Sequence, residues 1–414
     1  MSKNNENKLV PRLRFPEFLK EGNWEDKILK QVSDVTSGQS PSGISYNEEG
    51  IGTPFYQGKT DFGDIFLKEP TKWTTEPTKF ANADEILMSV RAPVGALNIS
   101  TQKICIGRGL AAIQPKVNKW FLYYFLSRIK DRIIGNGGSV FDSINKEQIE
   151  KISVLIPQEQ KEQQKIAACL SSLDDVITAE SKKLEVLKEH KKGLLQNLFP
   201  QQGETVPKLR FKEFEDSGEW KEKYLNEISP AIFDGTHQTP SYTEKGVPFY
   251  SVENIKSGIK NKFISREDYL LSISKNKPEK GDIIITRIGD IGTSKVIDWN
   301  YEFSIYVTLA IVKKSTIFNS YYLHSFFQSS RYQKEILSKS LLNAVPCKIN
   351  MDELRRTKIL IPPDKGKKEQ LKISEIFSSV DDLINSQSQK IETLKLHKKG
   401  LLQGLFPDVN EHNG

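Results

Sequence analysis

The chain is poor in the residues that build metal sites and covalent staples. Only three of its 414 residues are cysteine, Cys105, Cys169 and Cys347, far apart and without C-x-x-C spacing. That excludes a disulfide framework and a zinc site of ordinary ligand spacing, and it marks the three as reduced packing residues. Histidine is almost as scarce, five in all, and none is spaced as a metal ligand. No stretch reaches the roughly 18 apolar residues that a membrane span needs. The opening MSKNNENK is polar and leads into no apolar signal segment, so the expected location is the cytoplasm, with no membrane partner. Nor does one sign of charge dominate. Sixty basic against 53 acidic residues give +7 and a pI near 8.9, which permits a polyanionic partner without requiring one.

Catalytic motifs are missing too. QGKT at 57–60 resembles the end of a phosphate-binding loop, but the position five residues before Gly58 is Thr53, followed by Pro54 and an aromatic pair, where a phosphate cradle needs the freedom of glycine. Neither G-x-G-x-x-G nor H-E-x-x-H occurs, and the only Pro-Pro, in IPPDK, is not the Asn/Asp-Pro-Pro-Tyr of an amino-methyltransferase. The acidic pairs Asp174-Asp175 and Asp381-Asp382 sit just past helix seam residues, where carboxylates are expected to face solvent or a partner rather than a metal.

What the sequence has is a repeat. LKEHKKGLLQNLFP at 187–200 returns as LKLHKKGLLQGLFP at 394–407, twelve of fourteen letters alike at an offset of 207. Pro11, Leu13, Arg14, Phe15, Glu17, Phe18 and Trp24 return as Pro207, Leu209, Arg210, Phe211, Glu213, Phe214 and Trp220 at an offset of 196. Between them, Pro54-Phe55-Tyr56 answers to Pro248-Phe249-Tyr250, DEILMSVRAPVG (84–95) to GDIIITRIGDIG (281–292), and VLIP (154–157) to ILIP (359–362). The offset grows from 196 to 207, so the second copy carries eleven extra residues between ends that match. One scaffold holding two different surfaces has this pattern.

Each copy opens with about 150 residues of short β-type runs (EILMSV, ISVLIP, DIIITRI, KILIP) broken by glycine and proline, with helical patches, an α+β composition. Each closes with one long helix. Apolar residues fall at Ile166, Leu170, Leu173, Ile177, Leu184, Leu187, Leu194 and Leu198, in alternating steps of four and three once Glu180 and Lys191 fill the gaps. The second copy repeats this with Ile373, Phe377, Val380, Ile384, Ile391, Leu394, Leu401 and Leu405, and with Gln387 and Lys398 at the same two gaps. Both are heptad seams that must be buried, either against each other or each against its own globular part.

Geometry favours an antiparallel intramolecular coiled coil. A helix from Gln160 to Leu198 is about 58 Å long, against about 35–40 Å for a 150-residue domain. The short linker after Pro200 then starts the second globular part at the far end of the first helix, so that the second helix runs back and the halves are related by a pseudo-two-fold axis. The expected divisions are recognition domains at 1–156 and 201–362, spacer helices at 157–200 and 363–407, and a tail at 408–414.

The duplicated P-R-L-R-F-P-E-F with its later Trp, the I-P…E-Q-x-K-I…L-D-D-V-I helix opening and the HKKGLLQNLFP closing resemble the specificity subunit of a type I restriction–modification system. The likeness runs over residues 8–407, in both halves. It implies two tandem target-recognition domains, each reading one half of a split double-stranded DNA target, and no catalysis by this chain. It also implies two methyltransferase subunits that use S-adenosylmethionine on adenine N6, and motor-nuclease subunits that use ATP and Mg; no cofactor is expected on this chain itself.

Base readout needs directional side chains on a rigid support, with further cations for phosphates. The equivalent polar loops TSGQSPSG (36–43) and DGTHQTPS (234–241) offer Gln39, Ser40, His237 and Gln238, although ordinary turns share their composition. Gln57, Lys59, Asn254 and Lys256 follow the repeated Pro-Phe-Tyr, Arg91 and Arg287 follow the repeated β run, and Arg108 is a further candidate. The loops at 135–143 and 339–348 complete the set. His190-Lys191-Lys192 and His397-Lys398-Lys399, near helix C-termini, suit solvent, the helix dipole, DNA or a subunit contact equally. The competing classes are an enzyme acting alone on DNA and a coiled-coil scaffold with no nucleic-acid role.

Overall fold

A computed structural model describes residues 9–133, 143–363 and 367–408. The chain forms two compact units: residues 1–181 with 389–414, and residues 182–388. The long helices Gln160–Asn197 and Lys368–Gly404 each contribute one half to either unit.

In the first unit, Ser33–Ser37, Leu110–Pro115, Ile86–Ser89 and Leu97–Ile99 form an antiparallel sheet in that order. All four residues of Ile86–Ser89 are buried, which is why ILMS reads as a continuous apolar run rather than an alternating one. A five-stranded sheet places Thr53–Tyr56 parallel to Ile104–Ile106. Glu25–Ile28 pairs with Ser153–Ile156, and the helix Lys119–Ile133 packs into the core. The second unit repeats this plan. Ile232–Asp234, Leu309–Val312, Ile283–Thr286 and Ser294–Val296 form the matching four-stranded sheet, Val247–Tyr250 runs parallel to Ser304–Ile305, and Lys221–Tyr224 pairs with Lys358–Ile361.

Both seam arrangements expected from the sequence are realised. Ile166 and Leu170 lie in the core beside their own domain's Trp24 and Phe121, and the same core takes in Leu405 and Phe406 from the end of the second helix. In the second unit Ile373 and Phe377 share a core with Trp220 and with Leu198 and Phe199 from the end of the first helix. Phe406 packs within 5.4–6.1 Å of Trp24, Phe121 and Phe125. Phe199 does the same with Trp220, Tyr322, Phe326 and Phe377 at 5.5–6.2 Å. The duplicated closing motif is therefore a duplicated plug. Its backbone is tied equivalently in each unit, Leu13 N–H donating to Gly404 O at 2.8 Å and Leu209 N–H to Asn197 O at 2.9 Å.

Three of the four polar seam positions, Glu180, Lys191 and Lys398, form ion pairs, which corrects the solvent-facing role expected for Asp174 and Asp381, while Asp175, Asp382 and the other members of the basic clusters are exposed. In the first unit Lys398 Nζ lies 2.5 and 2.7 Å from the two oxygens of buried Asp174, which also accepts from Tyr124 Oη at 2.7 Å. Lys390 meets Glu180 at 2.5 Å. As the first helix advances from 174 to 180 the second retreats from 398 to 390, so the two run antiparallel there. In the second unit Lys191 Nζ lies 2.6 Å from Asp381 and 2.6 Å from Gln328 Oε1, and Phe199 stacks on Phe377; the direction is again antiparallel. Two further buried pairs anchor the helix starts, Arg14–Glu162 at 2.7 Å and Arg210–Glu369 at 2.8 Å.

The helices run past Gly193 and Gly400, so neither marks a helix end, and a Cβ at either would meet nothing of the described residues within 4 Å. At Gly404, by contrast, a Cβ would lie 2.5 Å from Leu13 Cδ1. Its counterpart Asn197 instead donates to Gly193 O at 2.8 Å.

Two outcomes follow. Phe406→Ala and Phe199→Ala each remove an aromatic side chain from a closed core, and each should cost about 3–5 kcal/mol in denaturant unfolding, whereas the exposed Leu396→Ala should cost little. In the second unit His324 lies between Ser294 Oγ and Gln328 Nε2, both at 2.8 Å. Burial first, then the positive charges of Lys191 and Lys295, lower its pKa to about 4, with Asp381 opposing. Because the folded pKa lies below the ordinary 6.5, this group's contribution to stability is complete above pH 6.5 and declines as pH falls toward 4. The loss should be on the order of 3 kcal/mol, and His324→Gln should flatten the pH dependence of unfolding in that window.

Candidate nucleic-acid interface

In the first unit the chain leaves the strand at Tyr56, whose buried ring is fixed by Oη donating to Lys68 O at 2.9 Å. The next turn is held by Asp61, whose Oδ2 accepts from the Gln57 N–H at 2.9 Å and the Gly58 N–H at 3.3 Å. Spending that carboxylate on the backbone leaves Lys59 without it. The turn at 107–109 presses against this segment so closely that a Cβ at Gly109 would lie 2.3 Å from Gln57 O; only glycine fits. Arg108 is thereby carried to the rim, its N–H donating to Ser40 Oγ at 3.3 Å. The neighbouring Gln39 is tied by its N–H to Ile106 O at 2.9 Å and by its own carbonyl to Thr78 Oγ1.

These elements converge. Gln57, Lys59, Arg91 and Arg108 line one depression of about 210 Å³ with Ser89 and Gly109. A shallower one of about 630 Å³ adjoins it and adds Lys68 and Thr60. Among the described residues, none of Lys59, Lys68, Arg91 and Arg108 has a carboxylate partner, and all four are exposed. Four unneutralised cations around an exposed amide form a surface for a polyanion with hydrogen-bonding edges: arginine and lysine for phosphates or guanine, glutamine for adenine. Lys68 was not among the residues singled out from the sequence, because twelve residues separate it from Tyr56 and only the fold brings them together.

The second unit does not match. Arg287, expected on the reading surface, is buried. Its guanidinium donates to Val307 O at 2.8 Å, Ile349 O at 3.2 Å and Asp234 Oδ2 at 3.2 Å, and burial lowers its pKa against the pull of Asp234. The cause is a slip of one residue. Ser89 pairs with Leu110 as Thr286 pairs with Leu309, and Arg91 bridges Ser143 as Ile288 bridges Lys348. Arg91 therefore corresponds to Ile288, while Arg287 corresponds to Val90, on the other face of the strand. Asn254 is also withdrawn from the surface: its amide accepts from the Ser251 N–H at 2.9 Å and donates to Ile259 O and Asn261 Oδ1 at 2.8 and 2.9 Å, holding a turn.

His237, 74% exposed and 3.0 Å from Asp234, and Gln238 remain on the surface. The side chain of Lys256, and residues 135–142 of the first unit's loop, lie outside the described residues. Where the first unit has its cationic depression, the second has an aromatic cluster that the sequence did not single out. Tyr250 Oη and Tyr301 Oη are 2.7 Å apart, Trp299 stacks on Tyr301 at 5.7 Å, and Lys260 Nζ lies 3.8 Å from the Tyr301 ring. The space beside it, about 70 Å³, is too small for a base. No group of three or more His, Cys, Asp or Glu able to hold a metal occurs among the described residues, and no described helix is long and apolar enough to cross a membrane.

Two α+β domains of one plan, each followed by a long helix, with an open cationic surface on the first, define a DNA-recognition module. The description of the Type I restriction modification DNA specificity domain matches residues 21–189 and 217–396, so the chain belongs to the family of type I restriction–modification specificity subunits. These are the DNA-recognition components of such systems and not their catalysts. The putative type I restriction enzyme MjaX specificity subunit of Methanocaldococcus jannaschii is 44% identical over 183 residues, 42% of each chain. The MjaVIII specificity subunit of the same organism is 27% identical over 417 residues, covering 95% of this chain and 93% of that one. The match thus spans less than half of the first relative and nearly all of the second. Among solved structures, the S subunit of a type I system from M. genitalium covers 97% of this chain and 100% of its own at a TM-score of 0.62 and 16% identity. A chain from a study of type I complex assembly and conformational transition covers 93% and 97% at 0.58 and 15%. Both share the fold.

The one-residue slip yields a direct comparison. Arg287→Ala takes the guanidinium from Asp234 and from two carbonyls and should lower unfolding stability by about 3 kcal/mol. Arg91→Ala, on the exposed side, should stay within about 0.5 kcal/mol of the parent in the same measurement.

Proposed function

We propose that the chain reads a bipartite double-stranded DNA target, one half with each globular domain (1–156 and 201–362), and that the long helices serve as spacer and as docking surface for two methyltransferase subunits. Those subunits supply S-adenosylmethionine-dependent methylation of adenine N6, with the target base turned out of the duplex. Restriction subunits supply the ATP- and Mg-dependent work, in the cytoplasm where the DNA is. The observation that carries this reading is the cluster of Lys59, Lys68, Arg91 and Arg108 around Gln57, cations with no carboxylate partner among the described residues. A coiled-coil scaffold has no use for such a surface.

The test is binding of the chain, assembled with its methyltransferase subunits, to duplexes carrying the target found by mapping methylated adenines in a host with and without this gene. Binding should weaken steeply with salt. The triple variant Lys59→Ala/Arg91→Ala/Arg108→Ala should reduce the slope of log K against log salt by up to about 2.7, near 0.9 for each phosphate that no longer meets a cation, with stability unchanged. An unaltered affinity and slope in that variant would show that this surface does not meet DNA.

A further inference from the structure

The second unit carries a finger whose base is fastened and whose tip is bare. Beyond the helix Ser330–Ser338 the chain doubles back: the Leu341 N–H donates to Lys348 O at 2.7 Å, and the Lys348 N–H to Leu341 O at 3.3 Å. The base is tied to the turn after strand Ile283–Thr286. Gly289 N–H donates to Cys347 O at 2.8 Å, Cys347 Sγ to Gly289 O at 3.1 Å, and Ile349 N–H to Arg287 O at 2.9 Å, with Ile349 wholly buried. Leu341, at the neck, is 50% exposed, and past these bonds stand Leu342 at 56% and Val345 at 100% exposure, with the exposed Asn343 between them. Single exposed apolar residues are ordinary, but a cluster of them at the tip of an anchored loop marks a contact surface.

Its position points to the occupant. The finger is joined to Ile288, the counterpart of Arg91, through the bridge to Lys348, so it occupies in the second unit the strand end that in the first unit bears the cationic surface. Lys348 at its neck is exposed and has no carboxylate partner among the described residues, which suits a flanking phosphate. The polar side chains that could have read bases here, Asn254 and Arg287, are buried and engaged. His237, Gln238 and the tip residue Asn343 stay exposed, but the side chains flanking Asn343 are aliphatic, and the one aliphatic group on a base edge is the thymine 5-methyl, displayed in the major groove. Insertion between base pairs is the other apolar mode, but the side chain of Val345 ends one carbon beyond Cβ, too short to enter a stack unless the backbone enters with it.

Resting on the DNA-recognition reading above, we infer that Leu342 and Val345 read the second unit's half-site by packing against thymine methyl groups in the major groove. The half-site belonging to this unit is the one whose recognition survives Arg91→Ala. Each of its thymines is replaced in turn by uracil in duplexes bound by the full chain with its methyltransferase subunits. At one or two positions the lost methyl should weaken binding roughly fourfold, the worth of one buried methyl group. In Leu342→Ser/Val345→Ser the same replacement should make no further difference, while the melting temperature stays that of the parent.

Indifference to uracil at every position overturns the inference while leaving DNA recognition intact, and because it is measured on the unaltered protein it needs no variant to fold. A 2-aminopurine probe that brightens beside the finger would show insertion instead of groove contact. A double variant that no longer assembles with methyltransferase subunits on gel filtration would make the tip a protein-docking surface. Failure of the parent complex to prefer any sequence would remove the DNA-recognition reading itself.

Discussion

A phenylalanine from the end of one repeat completes the core of the unit that contains the other repeat's globular part. Phe406 closes the aromatic cluster of Trp24, Phe121 and Phe125, and Phe199 closes that of Trp220, Tyr322 and Phe326. Neither globular part therefore has a finished core within its own repeat. Within each unit the plug and the seam act together, because the helix end that closes the core also runs antiparallel to the start of the other helix there. The plug also accounts for the closing motif as the best preserved part of the duplication: its partners Trp24 and Trp220 are themselves repeat counterparts, and a change in one plug must suit a socket built by the other copy.

The charged residues in the seam act on register rather than on net stability. A buried lysine–aspartate pair contributes little beyond an apolar isostere once desolvation is counted, but breaking it strands a charge. Asp174–Lys398 and Lys191–Asp381 are the same pair formed by exchanged partners, and a slip of either helix by one turn would strand both members in each unit. The two settings differ. Tyr124 donates to Asp174 and lays its ring 5.2 Å from Lys398, with burial and that carboxylate raising the phenol's pKa. In the second unit Gln328 takes the lysine instead, beside His324.

Much of this was legible because it depends on periodicity and repetition. The seam residues Ile166, Leu170, Ile373, Phe377, Val380 and Ile391 are buried and Leu173, Ile177, Leu184, Leu187, Ile384 and Leu394 are half-buried, as a period of about 3.5 residues requires. The ion pairs were not legible, since a lysine at a seam gap reads as an interruption until its partner from the other helix is known. In the candidate interface Gln57, Lys59, Arg91 and Arg108 could be named because they flank repeated strands, whereas Lys68 enters through a loop whose path no local pattern encodes. Arg287 misled because both arginines follow the repeated β run, although the aligned letters already set Arg91 opposite Ile288 and Arg287 opposite Val90. A strand presents alternate residues to opposite faces, so a displacement of one position sends one arginine out and the other into a cluster with Asp234 and two carbonyls.

That displacement lets one scaffold carry two different surfaces without losing its core. The strand pairing of Ser89 with Leu110 and of Thr286 with Leu309 is kept, so the sheet is unchanged, yet the first residue pointing out beyond it is Arg91 in one unit and Ile288 in the other. Once the outward position is apolar, the adjoining loop keeps one cation at its neck, Lys348, and its tip presents the aliphatic Leu342 and Val345. The inward arginine meanwhile becomes a clamp: by bonding Asp234, Val307 and Ile349 it ties the base of that loop to the sheet. The same type of side chain, moved one residue along a strand, thus changes from a candidate reader of DNA into the support that holds an exposed loop in place.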